Sequence, residues 1–158
     1  MRRGGRTKIL GLVLGALLLG GGYLALERLR GTESPGSPAP DPAQLALGRT
    51  LYGEACAACH GAELEGQPNW RQRDPDGLLP APPHDETGHT WHHPDRQLFE
   101  ITKWGTAALI GPDYQTTMGP FGELLSDDEI RAVLAYIKSR WPENIRARQA
   151  EATARAGN

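Results

Sequence analysis

Apolar positions along this chain fall into one long uninterrupted run and several short periodic ones. Ile9 to Leu26 carries no charged residue, and Arg2, Arg3, Arg6 and Lys8 precede it. Eighteen positions at about 1.5 Å rise cover about 27 Å, close to the ~30 Å hydrocarbon thickness of a bilayer. The basic start keeps the N-terminus in the cytoplasm and sends the rest outward. A cleaved export signal has a shorter apolar stretch and an Ala-x-Ala-like site. Tyr23-Leu24-Ala25 fits such a site poorly, so the pattern reads as an uncleaved transmembrane anchor over residues 9–26, with 1–8 as a cytoplasmic basic segment.

Residues 27–42 then read as a linker. Its 31–42 part holds four prolines, which favour an extended chain reaching at most about 37 Å at ~3.1 Å per residue. Helical periodicity resumes at Asp41, a suitable N-cap, with Pro42 at the first helical position. This helix carries Leu45, Leu51 and Tyr52 and runs to Cys56. Residues 61–90 lack periodicity and are dense in Pro, Gly, Asp and Asn, so they read as one irregular segment. A loop of that length usually wraps something or carries function. A second helix is predicted over Pro94–Trp104, with Leu98, Phe99 and Ile101 apolar and Gly105 as its stop. After a loop over 106–125, Ser126-Asp127-Asp128-Glu129 forms a capping box. It opens a helix striped by Ile130, Val133, Leu134 and Ile137 and closed by Trp141-Pro142. Residues 143–158 are polar, without a sustained apolar face, and are expected to extend as a helix or fray. No strand pattern and no internal repeat stands out. The fold class is all-α.

Composition sharpens this picture. The chain has 158 residues, 20 Gly, 13 Pro and few aromatics, which suits a small loop-rich domain whose core is completed by a prosthetic group. The net charge of −2 is unevenly spread. Residues 43–142 carry eight basic and fourteen acidic side chains, a net of −6. Such a domain repels phosphates and is not expected to bind nucleic acid. It suits a partner with a basic docking face.

Only two cysteines occur, within Cys56-Ala57-Ala58-Cys59-His60. Cys-x-x-Cys-His is the attachment signature of a c-type haem. Each thiol can add to a vinyl group of the porphyrin, and the adjacent His60 can reach the iron. Other readings fit less well. A thioredoxin-like pair needs an α/β context. A zinc site wants four ligands, and no second Cys pair is present. A plain structural disulfide would leave the His unexplained.

The ordered set of motifs resembles a class I, mitochondrial-type monohaem c-type cytochrome, in a membrane-anchored proteobacterial form. The similarity covers residues 43–142 and rests on Gly48-x-x-x-Tyr52, Cys56-Ala-Ala-Cys59-His60-Gly61, Met118-Gly119-Pro120-Phe121, Leu125 to Ile130 and Leu134-Ala135-Tyr136-Ile137. It implies three to four helices around one covalently bound haem c, attached at Cys56 and Cys59, with His60 and Met118 as the axial iron ligands. It also implies that the first and last helices cross, Gly48 and Tyr52 meeting Tyr136. A backbone carbonyl near the long loop is expected to accept the His60 ring N–H, with Pro80, Pro82 and Pro83 as candidates. The loop between 62 and 105 is longer than in the short members of the family.

Met118 is the only Met besides the initiator. It sits in a polar Thr/Gly/Pro loop rather than on a helix stripe, as an iron ligand would and a space-filling core Met would not. His84, His89, His92 and His93 leave three readings open: a rival sixth ligand, a copper or zinc site with Asp85 or Glu86, or polar loop residues near the haem edge. Trp70, Arg71, Arg73 and Trp91 are candidates for haem propionates. The expected function is single-electron transfer between periplasmic or membrane redox proteins, a membrane oxidase or reductase complex among them, from the outer face of the inner membrane. No catalysis on a substrate is implied. The alternatives are a haem enzyme or gas sensor with a labile sixth ligand, and a copper-handling haem protein that uses the His84–His93 cluster.

Overall fold

The computed structural model describes residues 41–157, which are helical with long irregular connections and contain no strand. In chain order the elements are α1 (Pro42–Ala55), α2 (Ala57–His60), a 3-10 turn (Thr90–His92), α3 (Asp95–Trp104), α4 (Thr106–Ile110), α5 (Asp127–Ser139) and α6 (Glu143–Arg155). The apolar run over 9–26 and most of the linker lie outside the described residues. Among the described residues, no helix is long and apolar enough to cross a membrane.

The helix boundaries follow from local chemistry. The Asp41 carboxylate accepts from the Ala43 N–H, and Pro42 occupies a first-turn position where no N–H is needed. At α5, the Ser126 hydroxyl accepts from the Glu129 N–H while the Glu129 carboxylate accepts from the Ser126 N–H, closing the anticipated capping box. Gly105 stops α3 with φ of 83°, a left-handed conformation that glycine adopts without strain.

α1 and α5 cross at Gly48. A side chain there would overlap the Ala132 carbonyl, so glycine alone permits the approach. Tyr52 covers the seam against Tyr136, with ring centroids 5.5 Å apart and planes tilted by 52°. The resemblance anticipated this triad. Tyr52, Leu64, Val133, Ile137, Trp141 and Ile145 form the buried cluster around the crossing.

The structure departs from the sequence reading at one loop and decides between two alternatives at the C-terminal stretch, where the helix expected as one of them forms. The loop read over 106–125 contains the single-turn-plus helix α4. The polar 143–158 stretch contains α6, which buries Ile145, Gln149 and Thr153 on one stripe. Gln149 Nε2 donates to the Asp95 carboxylate at 2.6 Å, with the His93 carbonyl at 3.3 Å and the Thr153 hydroxyl at 3.0 Å. The Thr153 hydroxyl accepts from the Asp95 N–H, and Lys138 Nζ meets the same carboxylate at 2.7 Å. α6 is therefore docked by a polar network, with Ile145 as its one large buried apolar residue.

Candidate functional site

The site begins where α1 breaks. Cys56 is at once the C-cap of α1 and the N-cap of α2, with φ −119° and ψ −37°. Its carbonyl accepts from the Cys59 N–H at 3.2 Å and the His60 N–H at 2.9 Å. One tight turn thus holds both cysteines and the histidine. Both thiols are free, Cys56 half-buried and Cys59 exposed. Burial, followed by the neighbouring Cys59, pushes the Cys56 thiol up to about 11. A thiol-disulfide redox pair needs the opposite shift, so this environment, with no strand nearby, does not suit thioredoxin-like chemistry.

His60 is 7% exposed. Its Nδ1–H donates to the Pro82 carbonyl at 2.9 Å. Of the three candidate prolines, the structure therefore selects Pro82. That bond fixes the tautomer and leaves Nε2 with a lone pair and no protein partner among the described residues. Burial lowers the His60 pKa and the carbonyl bond partly raises it. The result is a neutral, oriented imidazole.

Two glycines bring Pro82 to that position. Side chains at Gly66 or Gly88 would run into the Pro82-Pro83 backbone or the Pro83 carbonyl, so both segments pass within bare backbone contact of it. Leu64, almost fully buried, adopts φ of 72°, an uncommon conformation for a bulky residue. In it, the Leu64 carbonyl accepts from the His84 N–H at 2.7 Å and the Asp85 N–H at 3.2 Å. Gly61 takes φ of 84° directly after His60, and its carbonyl accepts from the Tyr52 hydroxyl at 2.8 Å. The helix crossing is thus tied to the residue beside His60.

His84, one of the four His residues whose role the sequence left open, lies directly against His60. Its ring stacks on His60 with centroids 3.9 Å apart and planes at 20°. Its Nδ1 pairs with the Thr90 hydroxyl at 2.7 Å, and its carbonyl accepts from Trp141 Nε1 at 2.6 Å. Burial, then the charges of His60 and His89, hold its pKa well below the usual value. The His84 ring thus lies alongside the His60 ring.

The other His residues are dispersed. His92 is exposed and stacks on Trp91, and His89 and His93 face each other across the 3-10 turn. Among the described residues, no group of three or more His, Cys, Asp or Glu side chains surrounds one point. Of the propionate candidates, Trp91 donates to the Glu86 carbonyl and Arg73 to the Gly77 carbonyl, while Arg71 lies over the Trp70 ring at 4.1 Å.

Met118 is half-buried in the loop between α4 and α5. Its N–H donates to the Thr116 hydroxyl at 3.0 Å. The chain just beyond it is pinned to the end of α3, because Phe121 and Gly122 N–H donate to the Thr102 and Lys103 carbonyls, each at 3.0 Å. Trp104, Ile110 and Leu124, on or near these elements, are 52%, 62% and 76% exposed.

The donor set fits a covalently attached haem. Two free thiols lie one turn apart beside an imidazole whose Nε2 is uncommitted.

Comparison with known proteins agrees with that chemistry. The family profile described as Cytochrome c matches residues 45–141. A Cbb3-type cytochrome c oxidase subunit FixP from Bradyrhizobium diazoefficiens is 28% identical over 127 residues, covering 72% of this chain and 40% of that protein. The chain therefore spans about two fifths of the length of this relative. No solved structure matches. With its Cys-x-x-Cys-His turn inside a profile match that spans most of the described domain, the chain belongs to the cytochrome c family and carries haem c as its covalent cofactor.

Proposed function

We propose that this protein is a membrane-tethered carrier of single electrons, with Cys56 and Cys59 holding the haem and His60 and Met118 filling its two axial positions. The observation that carries the reading is the His60 ring, tied through Nδ1 to the Pro82 carbonyl at 2.9 Å in the same tight turn as Cys56 and Cys59. Bound haem supplies a one-electron Fe(III)/Fe(II) couple. The protein's own residues orient the ligands and hold the ring that meets the iron. A thioether in the sixth position favours Fe(II) and raises the reduction potential. The position of Met118 before a well-capped helix supports that role, since the α3 contacts of Phe121 and Gly122 and the α5 cap fix the chain that follows it.

The uncharged stretch over 9–26 supports an inner-membrane anchor with the haem domain (43–142) on the periplasmic side. The similarity to an oxidase subunit supports a membrane oxidase complex as electron acceptor.

The test is substitution of Met118. Ferric wild-type protein is expected to show the far-red charge-transfer band of a thioether ligand. Met118→Ala should lose it, bind carbon monoxide when reduced, and have a lower potential. His92→Ala should leave all three unchanged. If Met118→Ala keeps the wild-type spectrum, the ligand assignment fails. Release of the protein from membranes by alkaline carbonate, without detergent, would remove the tether.

A further inference from the structure

Outside the haem-attachment turn, one pair of side chains has the geometry of a metal chelate. His89 is the N-cap of the 3-10 turn and His93 its C-cap. The turn is closed by His92 N–H to the His89 carbonyl at 3.0 Å and His93 N–H to the Thr90 carbonyl at 3.1 Å. Thr90, between them, is buried and bonded to His84 Nδ1. The His93 carbonyl is the acceptor that Gln149 reaches from α6. The two imidazoles therefore project from a braced frame. Their separation comes from a single turn of backbone.

The facing atoms are His89 Nδ1 and His93 Nε2, joined by a hydrogen bond at 3.2 Å that a metal would replace. Two imidazole nitrogens at the ~2.0–2.1 Å usual for zinc or copper are about 3.3–3.4 Å apart in a tetrahedron and about 2.9 Å apart as cis ligands in a square plane. The observed spacing falls between these values. The protonation pattern also suits a metal. His93 Nδ1 lies 3.2 Å from the Gln97 amide oxygen, which can only accept, so the proton sits on Nδ1 and Nε2 keeps its lone pair. A ligating His held by a hydrogen bond from its other nitrogen is the common arrangement in metal sites. Burial, then the charges of His93, His92 and Arg71, lower the His89 pKa, keeping it neutral. Metal binding asks only that its proton move from Nδ1 to Nε2. The Trp70 ring flanks His89 at 5.5 Å between centroids, and Arg71, over that ring, is an adverse charge close by.

We propose that His89 Nδ1 and His93 Nε2 form a bidentate site for a divalent transition metal, Cu2+ above Zn2+, with water completing the coordination. The protein supplies two donors, because no third His, Cys, Asp or Glu joins them among the described residues; the Asp85 carboxylate is committed to Thr87. Copper is favoured over zinc by the general affinity order for nitrogen donors. This site does not depend on the axial-ligand assignment.

The experiment is calorimetric titration of the oxidised, untagged holoprotein with Cu2+ alone, and separately with Zn2+, paired with electron paramagnetic resonance of the copper-loaded form. Wild type and His92→Ala should bind one Cu2+ saturably, with nitrogen hyperfine structure and weaker Zn2+ binding. His89→Ala and His93→Ala should each lose at least about tenfold in affinity. Gln97→Leu should lose about tenfold or more while both ligands remain. All variants should keep the wild-type haem spectrum, which reports folding. Absence of saturable Cu2+ binding overturns the proposal, as does wild-type affinity in the His89→Ala/His93→Ala double variant or a site lost only with His92.

Discussion

Gly48 and Gly53 lie on the same helix, and the structure assigns opposite outcomes to the same substitution at the two. Gly53 is exposed, and a methyl group there meets nothing within 4 Å. Replacing it by Ala should stabilise the domain by about 0.5–1 kcal/mol, through helix propensity and a smaller loss of backbone entropy. Gly48→Ala gains the same increment, but its methyl group would overlap the carbonyl of Ala132 and lie 3.0 Å from Tyr136 Cβ. The obstructing atoms belong to backbone in the middle of α5, which cannot rotate aside. The helices must separate, loosening Tyr52, Val133 and Ile137. Overpacking of this kind costs about 1–3 kcal/mol or more. The shared increment cancels, so the two variants should differ by the overpacking cost, about 1–3 kcal/mol or more. With a urea m-value of about 2 kcal/mol/M, their midpoints should lie about 0.5–1.5 M apart on either side of wild type. Urea unfolding of the holoprotein measures this directly, because a covalent haem stays with the unfolded chain. If Gly48→Ala matches Gly53→Ala in midpoint, the close crossing of α1 and α5 is wrong.

Further outcomes follow from other parts of the structure. Gln149→Ala should destabilise the domain by about 1–3 kcal/mol by removing the hydrogen bonds that tie α6 to the His93 carbonyl and the Asp95 carboxylate, and amide exchange should localise the loss to α6 and the 3-10 turn. Cys56→Ser or Cys59→Ser should weaken or abolish covalent haem retention after denaturing electrophoresis and destabilise the fold. Hydrogen bonds from Ser126 hold the Glu129 carboxyl below its ordinary value of 4.5. Its contribution is complete above that value and is lost as pH falls through the lower folded-state pKa. The acid limb of a stability-pH curve should accordingly be shallower in Glu129→Gln than in wild type, and an unchanged limb would remove the capping box from the account.

The parts of this fold that were legible in the sequence are those governed by neighbours in the chain. Asp41-Pro42 and Ser126 to Glu129 carry their caps within four residues, and Cys56 to His60 sets its own spacing. The helix crossing was legible through resemblance, since Gly48, Tyr52 and Tyr136 meet only in three dimensions. α6 was not legible as a docked helix because its buried stripe is Ile145, Gln149 and Thr153, and hydrophobic periodicity does not register an amide and a hydroxyl. The choice of Pro82 over Pro80 and Pro83 was hidden too. It depends on Gly66 and Gly88 admitting that backbone from different parts of the chain. Nor does sequence spacing reveal that His84 lies on His60, as that stack depends on Leu64 in its left-handed conformation and on Trp141 from beyond α5. A signal for His84 was nonetheless present: it directly follows the Pro82-Pro83 pair that supplies the ring's acceptor.

The central claim is a haem with both axial positions filled, cycling by one electron. An optical redox titration of the full-length protein in detergent, repeated under carbon monoxide, tests it most directly. The account predicts a single reversible one-electron transition at a potential raised by thioether ligation, unmoved by carbon monoxide. A reduced spectrum that shifts promptly on adding carbon monoxide, or a transition at the low potential of a bis-His haem, would contradict it.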